Sequence, residues 1–153
     1  MKIRQISNLK KIRQEALESV KEIKAMTALQ GERVSYQVVL EQEERAQFRV
    51  EIVSPLAGQV KVYLVRDVVM DQPAIEEGLE EEDYLSLEPG VMPDVLVPLA
   101  EQGFQVSVSK QKTVLWVRVD VRDDLAAGSY PVTVRFTKEK QSWETDADVT
   151  VYE

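Results

Sequence analysis

The side chains that could perform chemistry in this chain are carboxylates, lysines and tyrosines, because the sequence contains neither cysteine nor histidine. The lack of histidine removes the commonest general base and every Ser-His-Asp or Cys-His nucleophile. The lack of cysteine removes thiol catalysis, thiolate metal sites and disulfide bonds. Any acid–base chemistry would therefore have to use Asp, Glu, Lys or Tyr.

The densest group of such residues is an acidic run over residues 76–83. It places six carboxylates within eight positions, a composition that could gather a hard cation such as calcium: Glu76, Glu77, Glu80, Glu81, Glu82 and Asp83. Calcium loops space their ligands on alternate residues around a turn glycine, and this run does not follow that spacing. We therefore predict a solvated loop, and we assign no metal and no cofactor.

Glycoside hydrolysis would need two carboxylates at a fixed separation, one of them with a raised pKa. The sequence contains many acidic residues but places no pair in a rigid apolar setting. We assign no catalytic residue to this chain.

Charge and hydropathy indicate which classes of partner this chain is not expected to bind. The net charge of −8 opposes binding to phosphate backbones, so we expect no nucleic acid partner. No apolar run approaches the roughly 18 residues that a membrane span requires, and no signal-peptide core follows Met1. The sequence predicts a cytoplasmic protein that does not bind membranes.

The elements that would position any site are strands. Apolar β-branched and aromatic residues alternate with polar ones through most of the chain, as over 34–41 and 114–121. We predict one all-β domain over residues 1–153, an immunoglobulin-like two-layer antiparallel β-sandwich of seven to nine strands. In this scheme the side chain of Phe104 faces inward, and Tyr130 closes a strand corner. One core contains the inward-facing apolar side chains: Tyr36, Val38, Phe48, Val50, Leu64, Val117, Val119, Val134 and Trp143.

Two stretches depart from the alternation. Apolar residues at helical spacing over 9–23 predict a short N-terminal helix, while the extended patterns over 3–6 and 24–29 favour an edge strand, and both interpretations stay open. Between Met70 and Pro98 the alternation stops and four prolines occur, so we predict a long loop there.

A tryptophan stands on the unexpected face of a predicted strand. If Leu115 and Val117 point into the core, Val114, Trp116 and Arg118 must lie on the opposite face, and Tyr63 lies on the same side of its own strand. An outward aromatic ring could be covered by another domain or could stack on a sugar ring.

Four segments carry a family resemblance by their order and spacing, over residues 30–137: Gly31–Leu40, Pro89–Pro98, Val114–Val121 and Ala127–Val134. Together they resemble the N-terminal β-sandwich domain of glycoside hydrolase family 123 and of proteins carrying domain of unknown function 4091. In that family a catalytic Asp-Glu pair lies in a following TIM barrel, and nothing here matches that pair.

The resemblance implies that this chain is an excised N-terminal domain of a longer protein, with the catalytic domain of the same chain as its partner. The parent would be β-N-acetylgalactosaminidase-like. The Pro-Asp loop of the family falls on Pro93 and Asp94, without an assigned role. We expect a non-catalytic accessory domain with Trp116, Arg118, Val114 and Tyr63 as candidate interdomain residues; the alternative is a self-standing carbohydrate-binding module that uses the same residues.

Overall fold

The structure, a computed structural model, describes residues 1–14, 17–71 and 89–153. The predicted acidic loop over 76–83 lies outside these residues. The described part contains ten strands: β1 (Lys2–Ser7), β2 (Ala25–Leu29), β3 (Arg33–Glu41), β4 (Ala46–Val53), β5 (Val60–Met70), β6 (Gly90–Pro98), β7 (Gln105–Val108), β8 (Thr113–Asp120), β9 (Gly128–Lys138) and β10 (Gln141–Tyr152).

The strands form two five-stranded sheets. The front sheet has the order β1-β3-β8-β5-β6 and the back sheet the order β2-β10-β9-β4-β7. The predicted all-β sandwich is confirmed. One pair within this antiparallel sandwich is parallel, that of β2 with β10. The predicted number of strands, seven to nine, is wrong, because the described residues form ten. The immunoglobulin-like topology stays a prediction.

The core lies between the sheets and is built from the inward-facing residues of the alternating strands. One cluster contains most of the predicted set, including Tyr36, Phe48 and Val134, while Leu64 and Trp143 pack against it half-buried. Val119 belongs to a second buried cluster with Val121, Val132 and Val149. The core residues were predicted well, but they form two clusters and not one.

The prediction of an inward-facing Phe104 is wrong. Its side chain is 52% exposed, because the residue precedes β7 and has a positive φ of 55° that turns the ring away from the core. Tyr130 does close a strand corner, as predicted, since its hydroxyl donates a hydrogen bond of 2.7 Å to the carbonyl oxygen of Ala126.

Of the two interpretations left open for the N-terminus, the strands are confirmed, as β1 and β2, and the helix is wrong. The described residues between β1 and β2 form no helix, and we call residues 8–14 and 17–24 the covering segment because they cross the outer face of the front sheet. Ile12 and Leu17 bury their side chains there against Val39 and Val114. The apolar residues whose spacing is typical of a helix are thus buried against the sheet by a segment that is not helical.

The prediction of a loop between Met70 and Pro98 is wrong for its C-terminal part, because residues Gly90–Pro98 form strand β6. Proline is tolerated in edge strands and at bulges, because a missing N–H there breaks no ladder. β6 is an edge strand, and Pro93 lies where its register with β5 shifts.

Candidate functional site

The outer face of the front sheet divides into two halves. The covering segment lies over the half formed by β1, β3 and the start of β8. On the other half, β8, β5 and β6 carry a set of side chains that the covering segment does not bury. We call this set the outer patch: Tyr63, Leu96, Trp116 and Arg118, with Pro93 and Asp94 at its edge.

Trp116 occupies the middle of this surface. In the strand register it stands opposite Gln37 of β3 and Tyr63 of β5, so its ring lies between two neighbouring strands. The side chain is half-buried. The sequence-based prediction of an outward tryptophan is therefore correct in direction, although protein covers part of the ring.

A pocket of about 190 Å³ joins Trp116 to the Pro-Asp segment, with Pro93, Asp94, Leu96 and Lys11 in its lining. The Lys11 Nζ donates a hydrogen bond of 2.9 Å to the Pro93 carbonyl oxygen and lies 3.6 Å from the Asp94 Oδ1. The fold thus places the outward-facing Trp116 next to the Pro93-Asp94 loop of the family resemblance, two features that lie far apart in the sequence.

Asp94 lies at the bulge between β5 and β6. The register passes from Arg66 opposite Val95 to Asp67 opposite Pro93, so Asp94 has no partner across the ladder. Its side chain is 68% exposed. The bulge therefore presents a carboxylate at the rim of the outer patch.

Arg118 connects Tyr63 to a pair of charges. Its guanidinium carbon lies 5.4 Å from the centre of the Tyr63 ring, within cation–π range, and its Nη2 donates a hydrogen bond of 3.1 Å to the Asp120 Oδ2. The Asp120 Oδ1 accepts a further bond of 2.7 Å from the Nε of Arg33. Burial alone would raise the pKa of Asp120, but the two guanidinium groups outweigh it and lower that pKa.

One donor of Arg118 is left without a partner. Its Nε is buried and forms no hydrogen bond with any described residue. Buried polar groups are almost always hydrogen-bonded, but the chain itself covers this atom, so an acceptor on another molecule would not reach it without movement of the side chain.

Val114 does not belong to the outer patch. It is buried under the covering segment with Ile12, Leu17 and Val39. Sequence reasoning also missed Lys11 and Leu96, because nothing near Trp116 in the sequence indicates that residues so far away reach its ring.

The β5–β6 hairpin adds exposed apolar surface beside the outer patch. Of the nine exposed large hydrophobic residues in the described part of the chain, four lie on this hairpin: Val69, Val91, Val95 and Leu96. Such apolar side chains in one area mark an interaction surface more often than scattered ones do.

Among residues 1–14, 17–71 and 89–153, no group of three or more acidic side chains is placed to hold a metal ion. No helix in the same ranges has the length and apolar character that a membrane crossing requires.

Comparisons with known proteins bear on the fold. No protein-family profile matches the chain, and no curated protein matches it either. Among solved structures, the chain is similar to a family 123 glycoside hydrolase from Clostridium perfringens, studied for glycolipid glycan hydrolysis, with a TM-score of 0.69 and 10% sequence identity. The match covers 99% of this chain and 27% of that chain.

This likeness confirms the family resemblance at the level of the fold. The chain spans about a quarter of the length of the enzyme it matches.

Proposed function

We propose that this chain is a non-catalytic accessory domain of a larger, glycoside hydrolase-like protein, and that the outer patch is where it packs against the catalytic domain. The observation that carries the proposal is the apolar surface that the half-buried Trp116 and the 41% exposed Leu96 leave open to solvent. A neighbouring domain that covered these side chains would remove them from water.

The chemistry of the outer patch suits an interface between two domains. Interfaces are enriched in aromatic residues and arginine, and domains of one chain typically share contacts of 600–1,500 Å² that are more polar than a permanent dimer interface. Trp116 and Arg118 supply this combination, and Leu96 of β6 extends it with an exposed apolar side chain.

The likeness to the clostridial enzyme supports the proposal by analogy. A fold does not by itself imply a function, so the argument for an accessory role rests on the outer patch. The similar region occupies 27% of that enzyme, which leaves most of its length for other domains. By the family resemblance, we propose a β-N-acetylgalactosaminidase-like parent. The hydropathy of the sequence is the ground on which we propose a cytoplasmic location.

The dimensions of the pocket favour a domain contact over a sugar site. Ligand pockets usually enclose about 300–1,000 Å³, whereas the pocket beside Trp116 measures about 190 Å³. Lys11 already binds Pro93 and faces Asp94 across it, so two of its polar groups are engaged within the chain.

Hydrogen exchange tests the proposal on two polypeptides, the 153-residue chain and the complete product of the gene. If the gene encodes a catalytic domain, the amides of β8 and β6 near Trp116 and Leu96 should exchange more slowly in the complete product. Trp116→Ala should remove that protection, while Tyr152→Ala, an exposed aromatic on the back sheet, should not. Equal exchange in the two polypeptides would contradict the proposal.

A second assay separates the alternatives. The 153-residue chain should release no sugar from a chromogenic N-acetylgalactosaminide and should bind no glycan on an array. Micromolar binding of a glycan that Trp116→Ala abolishes would establish the carbohydrate-binding module instead.

A further inference from the structure

Three basic residues meet on the outer face of the front sheet, at one end of the outer patch: Arg33 of β3, Lys61 of β5 and Arg118 of β8. Val60 and Val62 pack toward the core, so the alternation of β5 directs Lys61 to the outer face. In the strand register Lys61 stands directly opposite Arg118. We call these three residues the basic group.

The charges of the basic group are only partly balanced within the chain. One carboxylate, that of Asp120, is shared between Arg33 at 2.7 Å and Arg118 at 3.1 Å. Lys61 forms no ion pair with any residue in the described ranges. Three positive charges thus face one negative charge, in a chain whose net charge is −8. This end of the outer patch therefore attracts negatively charged groups.

The opposition of Lys61 and Arg118 is unfavourable in the chain by itself. Residues directly opposite each other in an antiparallel sheet have Cβ atoms about 4.5–5.5 Å apart, and like charges at that distance repel. Arg118 is held in place by the Tyr63 ring, whose centre lies 5.4 Å from the guanidinium carbon, and by its bond to Asp120. Its side chain is 20% exposed, whereas Lys61 is exposed. Lys61 is therefore the accessible charge, and Arg118 adds a fixed charge beside it.

We infer that the domain covering the outer patch places a carboxylate, from an Asp or a Glu, between Lys61 and Arg118. The inference rests on the proposed function and adds the charge that the partner surface must carry there. The carboxylate would relieve the repulsion between the two basic side chains, while apolar side chains of the same partner cover Trp116 and Leu96. Charge complementarity of this kind determines which surfaces pair and in what register.

Charge reversal at Lys61 tests the inference in the complete product of the gene. Lys61→Glu should speed the hydrogen exchange of the β8 and β6 amides near Trp116 and Leu96 roughly tenfold or more, because a carboxylate would then face a carboxylate. Lys61→Arg, which keeps the charge, should retain the slow exchange. Lys140→Glu makes the same charge change in the exposed turn between β9 and β10, and it should also retain the slow exchange.

The 153-residue chain should respond to Lys61→Glu in the opposite sense. In this polypeptide the substitution replaces a like-charged pair with an oppositely charged pair across the β5–β8 ladder, so the variant should melt at the same or a higher temperature. A lower melting temperature would overturn the inference, because it would show that the Lys61 charge is already stabilised within the chain.

Salt provides a further measurement, and the outcomes separate the inference from the proposed function. Raising sodium chloride from about 0.1 M to about 1 M shortens the Debye length from about 10 Å to about 3 Å, so the slow exchange in the complete product should weaken. If the complete wild-type product shows no slower exchange than the 153-residue chain, the proposed function fails and the inference with it. If the slow exchange is present but survives both Lys61→Glu and salt, the inference alone is overturned.

Discussion

The two halves of the outer face of the front sheet differ in how far the chain itself buries their apolar side chains. Over β1 and β3, the covering segment buries Val39 and Val114 with Ile12 and Leu17 from its own sequence. Over β8, β5 and β6, the comparable positions carry Trp116, Tyr63 and Leu96. The covering segment reaches this half only at its edge, where Asn8, Lys10 and Lys11 line the pocket beside Trp116. The chain buries the apolar side chains of the first half itself, whereas the second half keeps the partly exposed aromatic and apolar side chains that are typical of an interface.

The polar contacts of the two halves differ in the same way. On the covered half, the Nε2 of Gln37 donates to the carbonyl oxygens of Ser7 at the end of β1 (2.9 Å) and of Lys10 in the covering segment (2.7 Å). The Arg4 guanidinium donates to the carbonyl oxygens of Leu17 and Val20. On the uncovered half, Arg118 donates instead to Asp120 of its own strand. Side chains of β1 and β3 therefore hold the covering segment in place through its carbonyl groups.

The strongest test of the comparison removes an apolar side chain from each half. Leu17→Ala should lower the free energy of unfolding by about 2–4 kcal/mol, since it leaves a cavity under a buried residue. Leu96→Ala, at a residue 41% exposed, should change it by no more than about 0.5 kcal/mol. Urea unfolding of the two variants measures both values, and equal losses would remove the distinction between the halves.

Val39 sharpens the comparison because alternation alone gives the wrong expectation for it. Facing away from the main core, it would be expected to tolerate truncation far better than Val134. It is 3% exposed under the covering segment, so Val39→Ala should cost about 1–3 kcal/mol, as Val134→Ala should. Chemical denaturation of the pair decides this, and a cost for Val39→Ala near zero would mean that the covering segment is not packed.

Features that depend on local residue spacing could be predicted from the sequence, and features that depend on packing between distant segments could not. The strand faces were predictable, because period 2 is a local property and Tyr36, Val117 and Val134 obey it. The sequence could not decide between a helix over 9–23 and an extended segment, because the spacing of Ile12 and Val20 fits a helix face and also fits an irregular segment packed on a sheet.

The site was predictable only in part, for a related reason. Alternation placed Trp116 outside, but the proximity of Lys11 and Asp94 depends on pairings between distant strands. The edge strand β6 escaped prediction because its prolines oppose a central strand and are compatible with an edge strand at a bulge.

Trp116 and Trp143 provide a smaller contrast within one residue type. Trp143 packs edge-on against Phe48, with ring centres 5.4 Å apart, and contributes to the core between the sheets. Trp116→Ala should cost the 153-residue chain about 1–2 kcal/mol, less than the roughly 3 kcal/mol expected for Trp143→Ala. Thermal unfolding of the two variants measures the order, and a larger loss for Trp116→Ala would show that the chain itself covers this ring.

The smallest effect concerns Asp120 and depends on pH. Because Arg33 and Arg118 lower the pKa of Asp120 in the folded state, its contribution to stability is present above its ordinary pKa of about 4 and is lost as the pH falls through the lowered folded value. Asp120→Asn should cost roughly 0.5 kcal/mol at pH 7, since the carboxylate and its arginine partners are partly exposed, and progressively less as the pH falls below the ordinary pKa. A cost that stayed constant over this range of pH would exclude the ionic contribution.

The parallel pairing of β2 with β10 has a consequence for how the protein is made. The register joins Ala25–Leu29 to residues 148–152, so a strand synthesised early obtains its only described neighbour in the sheet from one synthesised late. A ribosome that adds roughly 5–20 residues per second completes the rest of both sheets before this ladder can form. Until residues 148–152 pair with it, β2 lacks its described neighbour in the sheet, so this ladder also removes a segment open to the wrong partners.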